Sequence, residues 1–451
     1  MSTVAAISTP SAVGGISLIR ISGEKAIAVA EQLFVPYGNK TLREMPGHTC
    51  AYGKIVSHGE PLDDVLLTVF RAPKSYTGED IIEISCHGGL YVTRKILREI
   101  ISLGAEPAGA GEFTKRAFLN GKISLTQAEA VADIISAEGE AALSSANLMR
   151  EGALFKDVRG VTDRLLDLLS ALAAWTDYPD EDLPETDPTA ILQVLQDAKD
   201  RLMRIIKNYD SGRIFREGIA CVIVGRPNVG KSTLYNALLG FERSIVTPLA
   251  GTTRDIVEES LKLGDVVLRL SDTAGIRDTE NEVEKLGVQL AERALDRAQL
   301  IFAVFDGSEE LNADDLDILQ KIRDRKHIVI INKGDLPQKI NKEYIKCENI
   351  LEVSAKSSNG LDALKDAVYK MFMLDGYIGH PEVFANERQK VCCDKALGHL
   401  ADAETALLAG ETLDAVTVCL DSAADALLEL TGEKATVAVV DRVFERFCVG
   451  K

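Results

Sequence analysis

Residues 225–232 read Gly225-Arg226-Pro227-Asn228-Val229-Gly230-Lys231-Ser232, directly after the strand-like run Ile219-Ala220-Cys221-Val222-Ile223-Val224. A Gly-x-x-x-x-Gly-Lys-Ser sequence between a strand and a helix is a phosphate-binding loop. Gly225 and Gly230 let the backbone bend so that successive N–H groups, from Asn228 and Val229 through Thr233, converge on a nucleotide's phosphates. Lys231 places a point charge on the β- and γ-phosphates. The Ser232 hydroxyl can ligate Mg²⁺, and the following helix offers its positive N-terminal end. Without a ligand the same residues would be only a strand-to-helix turn.

Three further elements stand at strand ends. Asp272-Thr273-Ala274-Gly275 follows Val266-Val267-Leu268-Arg269-Leu270. It supplies an acid near Mg²⁺ and a Gly275 N–H that can meet the γ-phosphate. Asn332-Lys333-Gly334-Asp335 ends His327-Ile328-Val329-Ile330-Ile331. A carboxylate at Asp335 can accept from both N1–H and the 2-amino group of guanine, which selects GTP over ATP. Ser354-Ala355-Lys356 follows a fourth strand, where a backbone N–H commonly meets guanine O6. In order and position these elements resemble a GTPase of the translation-factor-related class.

Ile276 stands where Ras-like proteins carry the glutamine that orients water, and an apolar side chain cannot do that work. An arginine finger supplies about 10³–10⁵ in rate in Ras-like proteins. Here Asn228 and the segment Thr247-Pro248-Leu249-Ala250-Gly251-Thr252-Thr253-Arg254-Asp255 suggest a replacement. Side-chain and backbone oxygens there could hold a monovalent cation against the β/γ-phosphates. Thr253 could ligate Mg²⁺. Glu284 could orient water indirectly, although spacing alone favours a solvated charge.

The 451 residues suggest about three domains, with 46% apolar and 27% charged side chains as in soluble globular proteins. The sequence contains no apolar run of the length a membrane span needs, and its start has no signal-like core. Eight scattered cysteines without metal-ligand spacing point to a reducing cytoplasm. A formal net charge of −18 opposes non-specific nucleic-acid binding by the chain as a whole, while leaving room for a local basic face or a basic partner.

The expected fold is multidomain: an α+β N-terminal domain, an α-helical bundle, and an inserted Ras-like α/β P-loop GTPase domain. Residues 1–120 carry β-rich runs (Gly15–Ile21, Val65–Phe70, Asp80–Ile84) around a helical stretch at Leu90–Leu97. Residues 121–214 open on a capping box, Ser124-Leu125-Thr126-Gln127, and continue with apolar faces at Val131, Ile134 and Ile135, then Leu165, Leu168, Leu169 and Leu172. The GTPase signals occupy 215–376. Residues 377–451 are helical again, with Leu397, Leu400, Leu407 and Leu408 on an apolar face. A Ras-like domain tolerates insertion into one bundle because its termini lie close together.

Outside the GTPase segment the chain carries Gly14–Gly23, Ser75-Tyr76-Thr77-Gly78-Glu79-Asp80, His87-Gly88-Gly89, Gly111–Lys122 and the terminal Phe447-Cys448-Val449-Gly450-Lys451. With these motifs it resembles the MnmE (TrmE) family of tRNA modification GTPases over essentially its full length. The family's tail usually reads Cys-Ile-Gly-Lys, so Val449 is a small apolar departure. The resemblance implies a homodimer working with the FAD-dependent protein MnmG, in a heterotetrameric or larger complex, on the C5 position of wobble uridine in certain tRNAs. It implies a tetrahydrofolate derivative, in the 5,10-methylene or 5-formyl form, as one-carbon donor, and potassium-dependent pairing of GTP-bound domains. It carries folate contacts onto Arg20, Glu79, Lys122 and Lys451, and potassium onto Asn228, Thr247, Leu249 and Thr252. Magnesium falls on Ser232 and Thr253, and a functionally important cysteine on Cys448. A pterin's N–H and adjacent amino group suit a carboxylate such as Glu79.

Two other readings compete. A regulatory GTPase of ribosome assembly would be followed by an RNA-binding module, often with a Gly-x-x-Gly loop, whereas the segment here is acidic and helical. A folate enzyme with an idle GTPase scaffold would have no use for intact Lys231, Asp272 and Asp335.

Overall fold

The computed structural model describes residues 1–38, 41–177, 187–207, 209–241, 258–271, 295–374, 383 and 385–451. They form two compact units. One comprises Met1–Ala132, Met149–Leu202 and Val391–Lys451; the other comprises Asp133–Leu148 and Met203–Lys390.

The first unit contains seven strands: β1 (Val4–Ile7), β2 (Ile16–Ser22), β3 (Phe34–Pro36), β4 (Thr49–Ser57), β5 (Glu60–Phe70), β6 (Ile81–His87) and β7 (Glu106–Pro107). They make one sheet in the order β3-β4-β5-β6-β2-β1-β7, antiparallel except for the β1–β7 pair. Alternation fixes its two faces. Ile19, Ile21, Leu67, Val69, Ile82 and Ile84 are fully buried beneath the helix Leu90–Ser102, which contributes Ile96 and Ile100. Arg20 and Ser22 take the alternate positions on β2. The expected strands and the helix at Leu90–Leu97 are present: β2 is shifted by one residue, β5 begins earlier, at Glu60, and β6 and the helix run on to His87 and Ser102.

The same unit holds long helices. Ala153–Asp177 packs along Leu413–Thr431. Leu165, Leu172 and Leu400 are buried, as their apolar periodicity requires. Leu408 is exposed instead, as is Ile135 in the other unit. Leu408 is the last residue of its helix before the turn at Gly410, so no opposing surface covers it. The expected capping box is reciprocal: the Ser124 N–H donates to Gln127 Oε1 at 2.9 Å, and the Gln127 N–H donates to Ser124 Oγ at 3.3 Å.

In the second unit β8 (Ile219–Val224), β9 (Glu258–Leu263), β10 (Val266–Ser271), β11 (Leu300–Asp306), β12 (His327–Asn332) and β13 (Ile350–Glu352) form a sheet in the order β13-β12-β11-β8-β10-β9. All neighbours are parallel except β9 and β10. Every residue of β11 is buried, the pattern of a strand covered on both faces. The chain leaves β8 for β10 on one side and then crosses to β11 on the other. That reversal opens a crevice at the carboxyl end of β8, where α/β sheets bind ligands. Asp133–Leu148 belongs with this sheet: the Glu140 N–H bonds the Asp265 carboxylate at the β9–β10 turn, and Ala142 enters the sheet's apolar core.

Candidate nucleotide site and a second polar cluster

The crevice beside β8 holds the phosphate loop. Gly225 has φ 153° and Gly230 φ 96°. A Cβ on Gly225 would lie 2.3 Å from the Val304 carbonyl oxygen, and one on Gly230 would lie 2.2 Å from Asn332 Nδ2. Glycine is therefore demanded at both positions by backbone conformation and by the closeness of β11 and β12. Gly230→Ala is expected to cost about 1–3 kcal/mol of stability through backbone strain and displacement of Asn332. Its loss of nucleotide affinity should be larger in proportion. Denaturant melts beside titrations with a fluorescent GTP analogue would check this, and parental binding would contradict the packing described here.

Lys231 opens the helix Lys231–Phe241, with exposed Ser232 and Thr233 beside it in the first turn. Its Nζ donates to the carbonyls of Gly225 and Arg226, each at 2.8 Å, which holds the ammonium under the arch of the loop. Burial pushes its pKa below the ordinary lysine value. Asn228 sits exposed at the crest with φ 66°. Arg226 reaches sideways to Glu309 at 2.6 Å and to the buried Asp315 at 3.3 Å, tying the loop to the helix Ala313–Ile322.

Asn332 is the pivot of the base side. Its Nδ2 donates to the Val229 carbonyl at 2.9 Å, and its Oδ1 accepts from the Ala355 N–H at 3.0 Å. One buried amide thus locks the phosphate loop to the segment after β13. Lys333 pairs with the buried Asp306 at 2.5 Å. Burial pushes the Asp306 carboxyl up, but Lys333 and two bonds from Ser308 outweigh it and leave it below its ordinary value. Asp335 is exposed, and the Ser354 hydroxyl donates to its Oδ1 at 2.7 Å. That bond, with a backbone bond, holds Asp335 below the usual carboxylate range, so it is ionised at neutral pH. The structure therefore brings Asn228–Thr233, Asn332, Lys333, Asp335, Ser354, Ala355 and Lys356 to the carboxyl ends of adjacent parallel strands. Thr247, Pro248, Leu249, Ala250, Gly251, Thr252, Thr253, Asp272, Thr273, Ala274, Gly275 and Glu284 lie outside the described residues.

The other candidates gather in the first unit. Arg20 is ion-paired with Glu83 at 2.7 Å, with its guanidinium carbon 5.3 Å from the centroid of the Phe113 ring and 6.0 Å from that of Tyr76. Phe113 also donates its backbone N–H to the Lys451 carbonyl at 2.9 Å. Gly450, with φ 97°, lies against the Ile7 carbonyl, and the Gly111 N–H bonds the carbonyl of exposed Cys448. The C-terminal tail is thereby seated at the start of the helix Glu112–Leu119. Lys122 donates to the Pro73 carbonyl at 3.0 Å, and its stem passes Gly78, next to Glu79. Glu79 itself is held by Arg116 and Ser22. Arg116, Ser22, Tyr76 and Phe113 were not singled out from sequence, although all four fall within the quoted motifs. Arg20, Lys122 and Lys451 offer only donors, suited to acceptor atoms of a ligand, whereas the Glu79 carboxylate suits an N–H edge.

No helix among the described residues is long and apolar enough to cross a membrane. A family model described as the GTP-binding protein TrmE N-terminus matches residues 3–122, and one described as the MnmE helical domain matches residues 125–448. The chain is 41% identical over 454 residues to the tRNA modification GTPase MnmE of Clostridioides difficile, covering 100% of this chain and 99% of that protein. The corresponding figures for the tRNA modification GTPase MnmE of Carboxydothermus hydrogenoformans are 41% over 457 residues, 100% and 99%. For that of Lactiplantibacillus plantarum they are 40% over 459 residues, 100% and 98%. With both family models matched and such identity sustained from end to end, the chain belongs to the MnmE family of tRNA modification GTPases.

Proposed function

We propose that this chain binds and hydrolyses GTP as part of a homodimeric tRNA-modifying assembly. With MnmG, which carries FAD, it adds an aminomethyl or carboxymethylaminomethyl group to C5 of the wobble uridine (U34) of certain tRNAs, in the cytoplasm. The observation that carries this reading is the convergence of Lys231, Asn332 and Asp335 at one crevice, in a chain that also seats its own tail beside Arg20. A tetrahydrofolate derivative held by Arg20, Glu79, Lys122 and Lys451 supplies the one-carbon unit, and Cys448 lies on the same tail. Ser232 and Thr253 would hold Mg²⁺, which neutralises phosphate charge. Asp272 would supply the acid near Mg²⁺, Gly275 an N–H to the γ-phosphate, and Glu284 would orient water indirectly. Mass analysis of U34 in tRNA from a deletion strain tests the assignment. Loss of the modified nucleoside with unchanged ribosome profiles supports it; intact U34 with altered profiles favours the ribosome-assembly reading.

Asn228, Thr247, Leu249 and Thr252 would hold K⁺ between paired GTPase domains, in place of an arginine finger. Hydrolysis in sodium buffer is therefore expected to fall at least about tenfold below that in potassium buffer, well within what a missing transition-state charge removes. Equal rates in the two buffers would defeat the role given to Asn228.

A further inference from the structure

Arg116 is 3% exposed, unusual for an arginine, and its surroundings engage both its Nε and its Nη1 donors. Its Nε donates to Glu112 Oε1 at 3.0 Å. Its Nη1 donates to the Ser2 carbonyl at 2.7 Å and to Glu79 Oε2 and Oε1 at 3.0 and 3.2 Å. Nη1 carries two hydrogens, so the one not used by Ser2 is shared between the two Glu79 oxygens. Ser22 is fully buried and donates its hydroxyl to Glu79 Oε2 at 2.8 Å, with Thr77 Oγ1 another 2.8 Å away. Oε2 is thus filled by two donors, whereas Oε1 keeps an acceptor position. Arg116 is thus bonded to two carboxylates at once, Glu79 and Glu112, and the free position on Glu79 Oε1 suits a ligand edge made of N–H donors.

We propose that Arg116 and Ser22 are positioning residues that fix the Glu79 carboxylate and saturate Oε2, so that Oε1 reads the amino-group edge of a pterin. The inference rests on the folate reading of this cluster. It deepens that reading by making recognition depend on two buried residues that need not touch the ligand. Arg116→Lys keeps the charge but lacks the planar fork needed to span Glu79, Glu112 and the Ser2 carbonyl together.

The test is calorimetric binding by the full-length protein of 5-formyltetrahydrofolate and of its analogue lacking the pterin 2-amino group. The parent should prefer the former by about tenfold or more, because a carboxylate built to accept a donor discriminates against its loss. In Arg116→Lys and Ser22→Ala the preference should fall toward unity. GTP hydrolysis by the same preparations should be unchanged, since its residues belong to the other unit. General loosening of the site would weaken both ligands alike and keep the ratio, so a retained ratio in folded variants overturns the proposal. Should Arg116→Lys fail to fold, Ser22→Ala carries the test alone. A parent that binds neither ligand removes the folate reading and this inference together. A parent that discriminates while both variants do so equally well removes the inference only.

Discussion

Lys231→Ala is expected to lower kcat/KM for GTP by about 10²–10³, the scale of losing one preorganised donor to a developing charge. The geometry explains why so exposed a chemistry needs so enclosed a residue. Nζ is held 2.8 Å from two loop carbonyls, and burial lowers its pKa below the ordinary lysine value. A phosphate oxygen in the same arch favours the ammonium form and raises that pKa again. Nucleotide binding should then be linked to proton uptake. The sign follows directly. Below the lowered pKa of the free protein the lysine is charged in both states, and affinity is at its full value. As pH rises through that pKa, binding must draw a proton from solution and affinity falls. Lys231→Arg does not titrate in this range, so it serves as the reference, with the ionisation of guanine itself common to both proteins. Fluorescent GDP titrations from about pH 7 to 10 should show the parent losing affinity faster than the Lys231→Arg variant. Parallel curves would show that the proton on Lys231 is not the one linked to binding.

What could be read in the sequence follows how local each requirement is. Gly225 and Gly230 were legible because a phosphate-facing backbone needs their φ values within a few bonds of Lys231. The strand β12 was legible because its run His327–Ile331 is apolar after the first residue, as burial on both faces requires. Asn332 was legible as a motif residue, but not as the amide that joins Val229 to Ala355. Those partners lie 103 and 23 residues away, and only the parallel pairing of β8, β11, β12 and β13 brings them within reach. Arg116 was illegible for a related reason. With Glu112 four residues earlier it has the spacing of a solvated helical ion pair, and nothing nearby in sequence shows that Glu79 and Ser2 close over it. The packing of Asp133–Leu148 against the β9–β10 turn was hidden likewise. Its helical periodicity says that one face is covered, not by what.

Base selection gives the other large effect, because Asp335→Asn should exchange one nucleotide for another rather than merely weaken binding. Guanine presents two adjacent donors, N1–H and the 2-amino group, and an ionised carboxylate offers an acceptor to each. Ser354 holds that carboxylate by donating to Oδ1 at 2.7 Å, and the same contact lowers its pKa further. Asparagine retains one acceptor but turns an N–H toward the 2-amino group, so two donors oppose each other. Losing a charged bond and leaving a donor unmet costs about 3–4 kcal/mol, or roughly 10²–10³ in kcat/KM for GTP. Xanthine keeps N1–H but has a carbonyl at C2. The asparagine amide meets that pair in register, so the variant should hydrolyse xanthosine triphosphate better than GTP while the parent does the reverse. Ser354→Ala separates aim from identity. Losing the hydroxyl frees the carboxylate to turn and should weaken GTP by about tenfold, the value of one hydrogen bond to a charged group, without any gain for xanthine. Competition between the two triphosphates in steady-state hydrolysis distinguishes these cases. An Asp335→Asn protein that keeps the parental preference for GTP would show that guanine is read elsewhere in the crevice, and that the carboxylate beside Ser354 serves only to hold the loop.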